Sequence, residues 1–275
     1  MIITDNHMHL YNNLRFEALK QFKKEGGTHV FLVSLLTTCY DFPVRSGKDF
    51  GQIFDFHIDM VGKANEIVKA FSILSVHPAE ITILGGKVGF QKAAEIMKKA
   101  LDVAGKYVAE GKAVALKSGR PHYSVPEEVW DLSNRVLRHA FEVAKDVNCP
   151  VQLHTESFTL DGMKEIIKIA EKVGINTEKV IKHFAPPEVS KFEEIGMFPS
   201  IIASGKNVVT AAEQGSRFMV ETDYIDDKKR PGSVLGPKTV PKKIKELLNA
   251  GFKEELVYKI CKENPEKIYD IEIIE

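Results

Sequence analysis

The sequence is short of the features that mark stapled, secreted or membrane-bound chains. Three cysteines, Cys39, Cys149 and Cys261, lie far apart in 275 residues and form no Cys-x-x-Cys pair. That argues against a disulfide framework and makes a reducing cytoplasm the expected location. There is no excess of either charge: Lys+Arg and Asp+Glu are both 38. A neutral chain gives no global argument for nucleic acid or a membrane surface, although a local basic patch stays open. No basic segment and no long apolar stretch opens the chain at Met1-Ile2-Ile3-Thr4-Asp5, so neither a signal peptide nor a membrane anchor is expected. Low-complexity segments, linkers and repeats are missing too. Glutamine is scarce beside abundant lysine, glutamate and isoleucine, a balance that leans toward thermophile compositions.

What is present suits one large core. The chain is 44% hydrophobic and 28% charged, and a single domain over residues 1–275 is expected. A short apolar run followed by a longer helical pattern recurs along it. The runs are Ile2–Thr4, His29–Ser34, Ala70–Val76, Ala113–Leu116, Pro150–Leu153, Lys179–Ile181, Pro199–Ile202 and Arg217–Glu221. Consecutive apolar positions predict strands buried on both faces, as in a parallel sheet. Between them, Phe90–Glu110 stripes Ala93, Ile96, Met97, Ala100, Leu101 and Ala104 at helical spacing, and Glu127–Val147 does so with Val129, Leu132, Val136, Leu137, Ala140 and Ala144. Met163–Val173, Val189–Ile195, Val208–Gln214, Val240–Ala250 and Lys253–Cys261 are further helix candidates. Eight βα units in about 250 residues predict an α/β fold, a single (β/α)8 TIM barrel. The rival, a doubly wound open sheet, usually carries a glycine-rich phosphate turn after its first strand. Here that place holds His7-Met8-His9.

Barrel active sites lie at the C-terminal strand ends, so the polar residues there carry the functional argument. They are His7 and His9 on strand one, His77 on three, Lys117 on four, His154 on five, His183 on six and Asp223 on eight. Five of the nine histidines sit at strand ends, and His122 lies just past strand four. Residues two apart on a strand share a face, so His7 and His9 can grip one cation. His154, His183 and Asp223 add ligands from across the barrel. Imidazoles with carboxylates suit zinc first, and nickel, manganese or iron as well.

The pattern resembles the amidohydrolase superfamily and, within it, the TatD-related hydrolases. Asp5-Asn6-His7-Met8-His9-Leu10, Ser75-Val76-His77-Pro78, Val151-Gln152-Leu153-His154, Val180-Ile181-Lys182-His183-Phe184 and Glu221-Thr222-Asp223 look like that family's motifs. Strand four departs from it. TatD-type proteins place a metal-bridging glutamate there, whereas this chain offers Lys117 and Ser118. The phosphotriesterase branch carries a lysine that takes up carbon dioxide to become a carbamate, and Ala115-Leu116-Lys117 is similar to it. An unmodified ammonium beside cations would be repelled, while burial lowers a lysine's pKa and frees the reactive amine. A carboxylated Lys117 bridging two divalent ions is therefore expected, with His7, His9 and Asp223 on one and His154 and His183 on the other. Glu156 is a substitute acid, and the alternative is an unmodified lysine above a one-metal site.

The resemblance implies hydrolysis by a metal-bound hydroxide, with Asp223 orienting it and passing its proton to the leaving group. His77, Arg120, His122 and Tyr123 are candidate substrate contacts, and Tyr40–Gln52 reads as a long loop able to cover the site. The charged stretch Asp226-Asp227-Lys228-Lys229-Arg230-Pro231-Gly232 reads as solvated. A small-molecule phosphoester comes first as substrate, ahead of amide, lactone or carboxyl ester. A deoxyribonuclease and a catalytically silent metal-binding barrel are the alternatives, and no basic-aromatic stripe of the kind that tracks a nucleic acid backbone is evident.

Overall fold

Strands that are apolar on consecutive positions must be covered on both faces, and the chain meets that demand by wrapping helices around a parallel sheet. A computed structural model describes residues 1–10, 16–227 and 235–274. The strands are β1 Thr4–His9, β2 His29–Val33, β3 Lys69–Ser75, β4 Ala115–Gly119, β5 Val151–His154, β6 Val180–Ala185, β7 Phe198–Ile202, β8 Met219–Glu221 and β9 Tyr224–Ile225. The helices are α1 Glu17–Glu25, α2 Phe50–Ala64, α3 Glu80–Val88, α4 Phe90–Ala109, α5 Glu127–Asp146, α6 Leu160–Val173, α7 Val189–Glu194, α8 Asn207–Gln214, α9 Thr239–Asn249, α10 Glu254–Tyr258 and, after a π turn at Lys259–Glu263, α11 Asn264–Tyr269. No helix among the described residues is long and apolar enough to cross a membrane.

The strands pair in parallel in the order β8-β7-β6-β5-β4-β3-β2-β1-β9. The barrel closes at β1. Thr222 donates from its backbone N–H (3.1 Å) and its hydroxyl (2.7 Å) to the Asp5 carboxylate. The Asp223 N–H then donates to His7 O at 3.0 Å, and β9 continues alongside β1, with Met8 opposite Tyr224. The expected TIM barrel is thus the fold. Its inner layer holds Phe31, Val33, Ile73, Ala115, Ile181, Phe198 and Met219, packed on Ile268 and Tyr269 of α11. The stripes foreseen on α4 and α5 are buried in the outer layer between helices and sheet.

Two boundaries differ from expectation for identifiable reasons. Tyr40–Gln52 is not one long covering loop. Phe50 starts α2 and is buried in the core. Likewise, the Lys253–Cys261 helix continues through a π turn to Tyr269, which an apolar stripe does not announce. Of the charged stretch 226–232, residues 228–232 lie outside the described residues.

A polar knot sits between the barrel core and the strand-end histidines. The Tyr269 hydroxyl donates to Asn6 Oδ1 (2.9 Å) and accepts from Gln152 Nε2 (2.7 Å). Gln152 Nε2 also donates to Asn6 O, and Asn6 Nδ2 donates to Ser200 Oγ. Buried polar groups left unpaired cost about 1–3 kcal/mol. Tyr269→Phe is therefore expected to destabilise the fold by about 1–3 kcal/mol, read from the denaturant midpoint. An unchanged midpoint would show that the knot carries no stability.

Candidate metal centre

Three imidazoles are locked in one orientation by partners on their far side. His7 Nδ1 meets Gln152 Oε1 at 2.5 Å, His9 Nδ1 meets Val33 O at 2.7 Å, and His183 Nδ1 meets Glu221 Oε1 at 2.6 Å. Each partner oxygen is an acceptor, so each neutral ring carries its proton on Nδ1 and turns the Nε2 lone pair inward. This is the arrangement by which outer partners orient metal-ligating histidines. The inward atoms converge: His7 and His9 Nε2 lie 3.1 Å apart, and Asp223 Oδ1 lies 3.6, 3.9 and 3.7 Å from Nε2 of His7, His9 and His183.

Two residues here hold left-handed backbone without being glycine: Phe184 (φ 54°) and Asp223 (φ 49°). Such strain persists only where surrounding contacts fix it. The Phe184 N–H donates to Glu221 Oε1 at 2.8 Å, the same oxygen that orients His183. The Asp223 N–H is held by His7 O. Both turns thus hold His183 and Asp223 in the cluster.

Burial dominates the electrostatics. It keeps His7 and His9 well below the usual imidazole range, and the Lys117 charge adds to this. Burial, followed by the charges of His7 and Lys117, does the same to His183. Burial raises Asp223 to about 6 against the pull of Lys117 and Lys182. It lowers Lys117 to about 8, with Asp223 and Glu221 opposing. Lys117 Nζ lies 2.9 Å from His7 Nε2 and 3.3 Å from His9 Nε2, so an ammonium meets the lone pairs where a cation would sit.

The donor set fits a divalent ion. His7, His9 and Asp223 form one group whose ligand atoms all lie within 4.8 Å of one another, and His7, His183 and Glu221 form another. His154 is not drawn into either group. Its Nε2 instead meets His122 Nδ1 at 2.8 Å, and its ring lies 4.4 Å from that of His77. His77 Nδ1 accepts the Ala79 N–H at 3.2 Å, so its neutral ring carries the proton on Nε2. His77, His122 and His154 line the cavity over the centre together with His9, Lys117 and Asp223.

Arg120, Tyr123 and Glu156 need correction. Arg120 is buried and fully engaged: its guanidinium grips Glu156, reaches Glu165 at 3.4 Å and stacks on Trp130. It offers no free fork to a substrate, and Glu156 is correspondingly no spare metal ligand. Gly119 lacks the Cβ that would collide with the His154 carbonyl, and the Arg120 N–H donates to that carbonyl at 3.0 Å. Arg120 therefore anchors the end of β5. The Tyr123 hydroxyl pairs with Thr82 Oγ1 at 2.6 Å, and Tyr123 is not among the cavity-lining residues. Gln152 and Glu221, which orient the histidines, carry no role that the sequence alone assigns. Their one signal is a polar residue two positions before His154 or Asp223, on an otherwise apolar strand.

The chain is similar to known proteins along nearly its whole length. A family model described as TatD related DNase matches residues 4–270. An uncharacterised protein of Methanocaldococcus jannaschii is 40% identical over 98% of this chain and 96% of its own length. The solved TatD-like protein of Archaeoglobus fulgidus superposes with a TM-score of 0.65 at 18% identity, covering 98% of this chain and all of its own. The phosphotriesterase homology protein of Escherichia coli, solved with phosphate in its active site, gives 0.64 at 13% identity, covering 97% and 98%. At those identities the two structures support the fold, and the family match over residues 4–270 carries the conclusion: the chain belongs to the TatD-related DNase family.

Proposed function

We propose that the chain is a metal-dependent hydrolase of a phosphoester or a related ester, amide or lactone. One observation carries the reading: three buried imidazoles turn their lone pairs, with one carboxylate, toward a common point at the barrel mouth. His7, His9 and Asp223 would hold one divalent ion, zinc first among the candidates, and His183 would take a second together with His154, whose ring would first turn from His122. Divalent ions held there would polarise the scissile bond and bring the pKa of water toward neutrality. The chain's own groups supply the rest. Asp223, raised by burial, would accept a proton from the attacking water and deliver it to the leaving group. His77 would offer its Nε2–H to a substrate oxygen. The phosphate in the active site of the Escherichia coli neighbour is in keeping with a phosphoester substrate.

Lys117 belongs to the proposal as a carbamate. Its buried amine, lowered to about 8, has an accessible neutral form. The Nζ lone pair adds to the carbon of carbon dioxide: one N–C bond forms, one C–O π pair moves onto oxygen, and one amine proton leaves to solvent. The anionic product removes the ammonium from between the histidines and offers two oxygens to join the two ends of the site.

A second reading rests on the family description: a deoxyribonuclease. It requires DNA affinity that falls steeply with salt, roughly in proportion to the phosphates contacted, and a flat salt dependence excludes it.

Asp223→Asn is expected to lower kcat by about 10²–10⁴-fold while leaving the fold intact, because asparagine also tolerates left-handed backbone. Near-normal turnover would refute the proton role. For Lys117, labelling with ¹³C-bicarbonate is expected to give a carbamate carbon signal by NMR that Lys117→Ala lacks. One metal per chain with no such signal would remove the carbamate.

A further inference from the structure

His154 differs from the other strand-end imidazoles in which nitrogen is committed. In His7, His9 and His183 the outer Nδ1 is tied down and Nε2 turns inward. In His154 it is Nε2 that is taken, by His122 Nδ1 at 2.8 Å. Two neutral imidazole nitrogens at that distance share one proton. If His154 donates, its Nε2 carries the proton. If His122 donates, the Nε2 lone pair receives it. Either way that nitrogen has no lone pair left for a cation. Among the described residues two groups of ligand atoms lie within 4.8 Å of one another, and His154 is in neither.

The backbone of His154 is fixed. It sits opposite Gly119 in the β4–β5 ladder, and its carbonyl accepts the Arg120 N–H at 3.0 Å. Only a turn of the side chain can bring its Nε2 to an ion beside His183. His122 is anchored as well. Its loop follows β4, and the next residue, Tyr123, fastens that loop to α3 through Thr82 Oγ1 at 2.6 Å. The rings of His122 and Tyr123 meet edge-on, with centroids 5.3 Å apart.

Resting on the two-ion reading above, we propose that His122 is a latch on the second ion, a positioning residue that acts through His154. His7, His9 and Asp223 already converge. The His154–His122 bond must open before His154 can join His183. The two ions therefore bind with unequal affinity, the second weakened by the bond that is given up. Opening the bond also frees His122 Nδ1 at the cavity that His122 lines.

The test uses the full chain, stripped of metal and titrated with zinc in the presence of bicarbonate, by equilibrium dialysis and calorimetry. The wild type is expected to take up two zinc ions in separate steps. His122→Phe keeps a ring beside Tyr123 but cannot bond His154. It is expected to tighten the second step about three- to tenfold and to leave the first unchanged. His122 is exposed, so the unfolding midpoint is expected to hold. His122→Asn puts an amide oxygen near the place of Nδ1 and is expected to return the second step toward the wild-type value. In protein labelled with ¹⁵N-histidine, the His122 Nδ1 signal is expected to shift with the second equivalent of zinc and not with the first. Two-step uptake with these shifts, without turnover of any ester, amide or lactone, upholds the latch and sinks the hydrolase reading. A second step that His122→Phe leaves unchanged overturns the latch. A second step that it weakens does so too, because His122 then supports His154 as a ligand. A single zinc in both proteins also overturns it. In each of these three cases, turnover by the zinc-loaded wild type leaves the hydrolase reading standing.

Discussion

Two imidazole nitrogens, His7 Nε2 and His9 Nε2, face each other 3.1 Å apart in a buried site, each with its proton committed to the far side of its ring. Lone pairs so placed repel unless something positive lies against them. Much of the polar interior follows from that constraint. Gln152, Val33 O and Glu221 fix the tautomers, the Asn6–Tyr269–Gln152 knot holds Gln152, and Asp5 ties Thr222 so that Asp223 can turn inward. The positive charge between the rings is that of Lys117, bonded to both nitrogens. A divalent ion would compete with this ammonium for the same lone pairs, and the proposed conversion of the amine to an anion would resolve the conflict in favour of metal.

The barrel makes this arrangement possible. Its apolar layers bury the strands on both faces, and polar groups concentrate where the strands end. Strain collects there as well, at Phe184 and Asp223, each pinned by a hydrogen bond to a neighbouring strand. The helices outside do no chemistry. They hold the strand ends rigid, which keeps ligand atoms aimed at one point.

Much of this is legible in the sequence. Runs of consecutive apolar residues announce a parallel sheet, and the stripes on α4 and α5 match their helices to within a residue. His7, His9, His183 and Asp223 are visible because they end those runs, and they do converge. Less visible is whatever depends on tertiary partners. Arg120 reads as an anion fork, yet a carboxylate from the next strand's loop consumes it. His154 reads as equivalent to His183, yet its ring turns to His122. Lys117 is legible as an anomaly, and its burial beside His7 and His9 makes it the point on which the chemistry turns.

Whether metal displaces that ammonium can be seen by diffraction from crystals soaked in zinc, nickel or manganese, recorded at each metal's absorption edge. An anomalous peak bonded to His7, His9 and Asp223 is expected, with Lys117 moved from between the imidazoles or carrying the extra density of a carbamate. Crystals in which every soak leaves the Lys117 ammonium between His7 and His9, with no anomalous peak, would refute a metal centre at this barrel mouth.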